Sequence, residues 1–112
     1  MSIDDFPTLL KSTSMAFHMT ANHREDCIDR DEEVILDSTY RDGHYPELSR
    51  LWEEFYDGPR IPPDRCGRLA NELEHARSSN ALPPSLSASA IRLIEFFRFA
   101  YEDHSWVECN SD

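Results

Sequence analysis

Carboxylates and tyrosines concentrated in one segment are the side chains of this chain that could do chemistry. The 112 residues include 22 acidic and 11 basic side chains, a net charge of -11. Residues 21–57 hold 12 of the carboxylates and four arginines, so this segment alone contributes -8. That concentration is more than solubility requires, and its field attracts cations or a basic protein surface.

Acidic and tyrosine side chains alternate in the middle of this segment. At tight interfaces with a basic protein, carboxylates steer the approach of the partner and tyrosines anchor it. The sequence therefore predicts a partner-binding surface formed by Asp29, Asp31, Glu32, Glu33, Asp37, Tyr40, Asp42 and Tyr45. The alternative is a solvated acidic face that only keeps the protein dissolved.

Three groupings have some features of a metal site, and each is incomplete. Glu72-x-x-His75 has the spacing of a di-iron ligand pair, but such a site needs a second copy of the motif. His18, His23 and Cys27 lack a fourth nitrogen or sulfur ligand nearby. The acidic run around Cys27 lacks the glycine and the terminal glutamate of a calcium loop. No metal ion and no cofactor are predicted.

Nucleophilic catalysis also has no recognisable setting. Cys27, Cys66 and Cys109 are odd in number and widely spaced, which favours reduced thiols over a disulfide framework. The serines lack the glycines of a nucleophile elbow, and no catalytic base or oxyanion donor can be identified. Direct nucleic-acid binding is disfavoured by the sign of the charge. The chain is therefore predicted to be a binding module without catalytic residues, not an enzyme.

The elements that must position these residues are predicted to be mainly helical. Apolar residues at helical spacing predict helices over 45–57, 62–78 and 85–104, and the last is apolar on most sides, as in a central buried helix. In the helix over 62–78, the residues predicted to face inward are Cys66, Leu69, Ala70, Leu73 and Ala76. Those predicted to face outward are Arg65, Arg68, Glu72 and His75.

The N-terminal part has a less regular pattern, and residues 12–37 are compatible with helix or strand. The spacing favours a helix to about residue 19, although Phe17 and Met19 also alternate as in a strand. Residues 34–36 form either a helical turn or a buried strand that could pair with 106–109. Residues 1–112 are predicted to form one mainly α domain, a compact bundle of about four helices around a central C-terminal helix, with room for a small β element.

Three stretches carry a resemblance to a known class of protein: residues 45–56, 61–63 and 91–101, in a chain that closes on Ser111-Asp112. In these stretches the chain resembles small bacterial immunity proteins of polymorphic-toxin systems, which include contact-dependent inhibition and type VI secretion. The resemblance implies a non-catalytic protein that binds one cognate toxin domain, often one with a basic cleft, and occludes its active site. No secretory signal or membrane span is recognisable, so a cytoplasmic location and no membrane partner are expected.

Two other functions remain open on the residues alone. An acidic mimic of nucleic acid would inhibit a DNA-binding protein, and it would need carboxylates spaced like phosphates along an elongated surface. A small metal-binding enzyme would use His18, His23 and neighbouring carboxylates. The oligomeric state and the identity of the toxin have no signal in the sequence.

Overall fold

Four helices and a four-stranded antiparallel sheet make up residues 17–111, the part of the chain that a computed structural model describes. The strands are β1 (Phe17–Ala21), β2 (Arg24–Ile28), β3 (Arg60–Ile61) and β4 (Val107–Ser111). The helices are α1 (Glu33–Asp42), α2 (Pro46–Glu53), α3 (Pro63–Ser78) and α4 (Ser87–Glu102). Short 3-10 helices, Phe55–Asp57 and Pro84–Leu86, follow α2 and precede α4.

The sheet has the strand order β2-β1-β4-β3, so β1 lies in its interior. Phe17, Met19 and Ala21 of β1 are buried, whereas the residues between them are exposed. This period of two is the strand pattern, and it shows that the prediction of a helix to about residue 19 is wrong over 17–19. The earlier residues of that predicted helix lie outside the described part of the chain.

The hairpin between β1 and β2 turns at Asn22 and His23, which the sequence analysis did not predict. Asn22 has φ +57°, a left-handed conformation that asparagine tolerates better than most residues and that two-residue hairpin turns require. Asn22 also donates a side-chain hydrogen bond to Asp103 just after α4, at 3.1 Å. The short polar turn therefore connects the hairpin to the end of the last helix.

Residues 34–36 belong to α1, so of the two predicted alternatives this run is helix and not a buried strand. Ile35, Leu36 and Thr39 are buried at helical spacing. The predicted pairing of 106–109 with this run is wrong, because β4 pairs with β1 and β3 instead. Gly43 ends α1 with φ +82°, where a residue with a side chain would be strained.

The three C-terminal helices are confirmed within a few residues of the predicted bounds. The fold class needs a correction, because a four-stranded sheet makes the chain mixed α and β and not simply an α bundle. The helix α4 is also less central than predicted: it buries Phe96 and Phe97, but Ile91 and Tyr101 are 43% and 49% exposed. None of the helices within residues 17–111 has the length and apolar character needed to cross a membrane.

Candidate protein-binding face

The fold divides the eight residues predicted to bind a partner into an accessible and a buried group. Glu32 and Tyr45 are buried, with 6% and 3% of their surface exposed. The exposed or half-buried members are Asp29, Asp31, Glu33, Asp37, Tyr40 and Asp42. All eight lie on the stretch of chain that runs from the end of β2 to the start of α2.

Asp29 and Glu32 close the turn that leads from β2 into α1. The Asp29 carboxylate accepts a hydrogen bond from the backbone N–H of Glu32 at 3.2 Å, and the Glu32 carboxylate accepts one from the N–H of Asp29 at 3.2 Å. This reciprocal pair has the hydrogen-bond pattern of a capping box and closes the helical turn directly before α1; its sequence signal is Asp-x-x-Glu ahead of an apolar run. Two of the predicted binding residues therefore shape the start of α1.

Arg92 of α4 holds this turn against β2. Its Nη1 and Nη2 donate to the two carboxylate oxygens of Glu32, at 2.7 and 2.9 Å. Its Nε donates to Asp26 at 2.9 Å, and Nη2 also donates to the Cys27 carbonyl at 2.7 Å. These partners lie 60 to 66 residues before Arg92, so local spacing gives no signal for the cluster.

One side of α1 carries acidic and aromatic side chains. Glu33, Asp37 and Tyr40 are four and three residues apart and so lie on the same side of the helix. Tyr40 is 43% exposed, and its hydroxyl donates to Glu53 of α2 at 3.4 Å. Asp37 pairs with Arg41 at 3.1 Å; the Arg41 side chain is largely in solvent and that of Asp37 is half-buried. The acidic face is the name we give to Asp31, Glu33, Asp37, Tyr40 and Glu53.

The acidic face has little positive charge of its own. Within residues 17–111, Asp31, Glu33 and Glu53 have no ion pair, and the one formed by Asp37 is solvent-screened and weak. Burial raises the pKa of Glu33; nearby Arg30 acts in the opposite direction, and Asp29 adds to the rise. A carboxylate with a raised pKa gains from an external cation, because the attraction of Arg30 does not offset the cost of burying its charge.

Asp42 and Tyr45 flank the left-handed Gly43 and have internal partners. Asp42 pairs with His44 at 2.5 Å. The hydroxyl of Tyr45 lies 3.0 Å from Nδ1 of His75 and 3.3 Å from Oγ of Ser79. Tyr45 thus joins the start of α2 to the end of α3. Of the two tyrosines predicted to bind a partner, Tyr40 is exposed and Tyr45 is buried.

Carboxylates of α2, by contrast, are neutralised by α3. Arg65 is only 3% exposed, and it donates to Glu47 at 2.8 Å and to Glu54 at 2.9 Å. Arg68 donates to the second oxygen of Glu47 at 2.9 Å. The prediction that Arg65 faces outward is wrong, because a guanidinium can be buried when carboxylates compensate its lost hydration.

Glu72 is also turned towards α2, contrary to the prediction of an outward position. Its two oxygens accept hydrogen bonds from the backbone N–H groups of Glu47 and Leu48, at 3.1 and 2.9 Å. It therefore caps the first turn of α2, whose N–H groups have no partner within the helix. His75 is exposed and contacts Tyr45, so the Glu72-x-x-His75 motif joins two elements instead of presenting two ligands.

The remaining candidates for chemistry lie apart. His18 and Cys27 are cross-strand neighbours, but His23 packs edge-to-face on Phe99, with ring centroids 5.7 Å apart. Within residues 17–111 no three His, Cys, Asp or Glu side chains converge as a metal site. The cysteines are free thiols, and burial raises the pKa of Cys66 and of Cys109 to about 12. Such thiols are poor nucleophiles at neutral pH.

Comparisons with protein-family models, with curated proteins and with solved structures found no match for this chain. The function proposed below therefore rests on the residues of the chain itself.

Proposed function

We propose that this protein is a non-catalytic immunity protein that acts in the cytoplasm and binds a cognate bacterial toxin domain. It neutralises the toxin by covering its active site with the acidic face. The observation that carries the proposal is the exposed Tyr40 among carboxylates of which three, Asp31, Glu33 and Glu53, form no ion pair within residues 17–111 and the fourth, Asp37, forms only a solvent-screened one. Tyrosine is enriched among the residues that dominate binding energy, and unpaired carboxylates complement a basic cleft.

The geometry of α1 suits insertion into a cleft. The helix has ten residues, a length of about 15 Å. Its start is fixed by the capping box and by Arg92, and its end by Gly43. A helix held at both ends loses little conformational entropy when it docks, so more of the interaction energy appears as affinity. The negative charge of the acidic face also accelerates association with a basic cleft, and added salt lowers that association rate.

If the proposal is correct, a toxin gene adjoins the gene of this protein, and the test is binding to the C-terminal domain of that toxin. The triple variant Asp31→Asn, Glu33→Gln, Asp37→Asn removes three of the four negative charges of the acidic face and leaves Asp29 and Glu32 intact. The matched control is Glu25→Gln, Glu95→Gln, Glu108→Gln, which removes the same charge from exposed positions on the sheet and α4. We expect the first triple variant to weaken binding about 100-fold and the control less than about threefold.

Equal losses in the two variants would contradict the proposal, because they would show that net charge matters and the acidic face does not. Absence of binding by the unmodified protein would contradict it as well. If plain duplex DNA displaced the protein from several unrelated DNA-binding proteins, a nucleic-acid mimic would replace the immunity protein as the better explanation. Tyr40→Ala adds an independent measurement, with a loss of about tenfold expected for an aromatic anchor.

A further inference from the structure

A groove lies between the first turns of α3 and the last turns of α4, apart from the acidic face. Its volume is about 430 Å³, which falls in the range of small-molecule sites. Gly67, Arg68 and Asn71 line it from α3, and Arg98 and Tyr101 line it from α4. The groove thus combines two guanidinium groups, an amide and an aromatic ring.

Gly67 makes room for the ring of Tyr101. A Cβ atom at position 67 would lie 2.8 Å from Cδ1 and 3.1 Å from Cε1 of that ring, closer than van der Waals contact allows. Glycine within a helix is unfavourable relative to alanine, and here it lets the Tyr101 ring lie directly against α3. Tyr101 remains 49% exposed, so part of the ring is accessible in the groove.

The two arginines retain hydrogen-bonding capacity. Arg98 is exposed and forms no direct ion pair within residues 17–111, although Glu95 and Glu102 are three and four residues away on the same helix. Arg68 uses its Nε for Glu47, and no hydrogen bond within the described residues occupies its two terminal amino groups. Within the described residues no carboxylate forms an ion pair with Arg98 or with the terminal amino groups of Arg68, so these donors are available to an external anion.

We propose that this groove binds a ligand with a single carboxylate next to an aromatic or apolar group. Guanidinium groups of Arg68 and Arg98 match a carboxylate geometrically and can each donate two hydrogen bonds. The exposed part of Tyr101 offers a surface for the adjoining ring or chain.

Two carboxylates limit the charge of the ligand. Asp64 and Glu102 also line the groove, so the formal charges of its lining side chains sum to zero, and each additional negative charge on a ligand adds repulsion from these two carboxylates. A monoanion is therefore favoured over inorganic phosphate or a phosphate chain. The monoanion can be a free organic acid or the C-terminal carboxylate of a peptide, which share the same chemistry.

The proposal can be tested by following backbone amide resonances of the intact protein during titration with N-acetyl-phenylalanine. We expect a dissociation constant on the order of 1 mM, with shifts at Gly67, Asn71 and Tyr101. The matched ligand is the primary amide of the same compound, which lacks the charge and should give no saturable shifts. Phosphate at the same concentration should bind at least about tenfold more weakly, given the rim carboxylates.

A tripeptide that ends in phenylalanine separates the two sources of the carboxylate. Binding at least as tight as that of N-acetyl-phenylalanine assigns the groove to a peptide terminus, and loss of binding assigns it to a free acid. Equal binding of the acid and its amide would overturn the proposal, as would no saturable shift with either the acid or the tripeptide.

Two variants locate the site. Arg98→Gln should weaken binding of the acid about tenfold, whereas Arg30→Gln, an exposed arginine elsewhere, should leave it unchanged. Gly67→Ala displaces the Tyr101 ring and should also weaken binding, with circular dichroism and the unaffected amide resonances reporting that the fold is kept. If Arg98→Gln and Arg30→Gln had the same effect, the guanidinium of Arg98 would not contact the ligand and the proposal would fail.

Discussion

The α2–α3 interface and the acidic face are both rich in carboxylates, but only those of the interface form ion pairs with a buried arginine. Burial would raise the pKa of Glu47, but hydrogen bonds from Arg68 and Arg65 outweigh it and the pKa is lowered. The pKa of Glu33 on the acidic face is raised, chiefly by burial. Arginines within the protein more than offset the burial of the Glu47 charge, whereas Arg30 does not offset that of the Glu33 charge. Net charge alone therefore does not separate structural carboxylates from those available to a partner.

Arg65→Gln gives the strongest test of the structural region. It leaves the half-buried carboxylates Glu47 and Glu54 without their buried partner, and removal of one member of a buried ion pair typically costs about 3 kcal/mol. We expect a loss of unfolding free energy of that order in urea titrations. The control Arg68→Gln removes a mostly exposed partner of the same Glu47 and should cost less than about 1 kcal/mol. Equal losses would mean that burial does not set the strength of this interface.

Arg92→Gln tests whether Asp26 and Glu32, the carboxylates that Arg92 binds, stabilise the fold as Glu47 does. The side chain makes four hydrogen bonds, but it is 42% exposed. Solvent screening reduces the expected loss of stability to about 2 kcal/mol. Hydrogen exchange should accelerate most at the amides of residues 29–33, because the turn before α1 is released. A uniform acceleration over all elements would indicate only global destabilisation.

The pH dependence of stability should separate the two classes of carboxylate as well. Burial would raise the pKa of Glu32, but hydrogen bonds from Arg92, Ser89 and the Asp29 N–H outweigh it and the pKa is lowered. A lowered folded pKa means that Glu32 stabilises the fold above its unfolded pKa of about 4.3, and that this contribution is lost as pH falls through the folded pKa.

Glu32→Gln should therefore flatten the fall in unfolding free energy between pH 6 and pH 2 by about 1 kcal/mol. Glu25→Gln is the matched variant, since Glu25 is exposed on β2. It should keep the slope of the unmodified protein. A slope that is unchanged in Glu32→Gln would show that the buried contacts of Glu32 are as strong when it is protonated.

The helices α2, α3 and α4 were predictable because their apolar spacing is local, whereas the short run in α1 left helix and strand open. The inner face of α3, from Cys66 to Ala76, follows from that spacing alone. The strand β1 was not predicted, since Phe17 and Met19 satisfy two periodicities until pairing with β4, about 90 residues later, decides between them.

The acidic segment could be located from the sequence, but the sequence could not separate its structural carboxylates from its accessible ones. Asp29 and Glu32 look like Asp31 and Glu33 in composition, and only the first pair meets Arg92 or forms the capping box. The Asp-x-x-Glu spacing could have indicated the cap. No local pattern could have indicated Arg92 or Arg65, because a guanidinium that spans two or three elements depends on how those elements pack.

Glu33→Gln should have the smallest effect on stability and has the most direct bearing on the difference between the two regions. A raised folded pKa means that the protonated form is favoured in the fold, so any stabilisation is present at low pH and is lost as pH rises through the folded pKa. At neutral pH the charge of Glu33 is therefore unfavourable, and its removal should raise the unfolding free energy by up to about 0.5 kcal/mol. Thermal unfolding at pH 7 and pH 4 would measure this, with the gain confined to pH 7.

If Glu33→Gln is more stable than the unmodified protein and binds the partner less well, the Glu33 carboxylate is retained for binding at a cost in stability. If Glu33→Gln is less stable at pH 7, Glu33 belongs with the structural carboxylates Glu32 and Glu47.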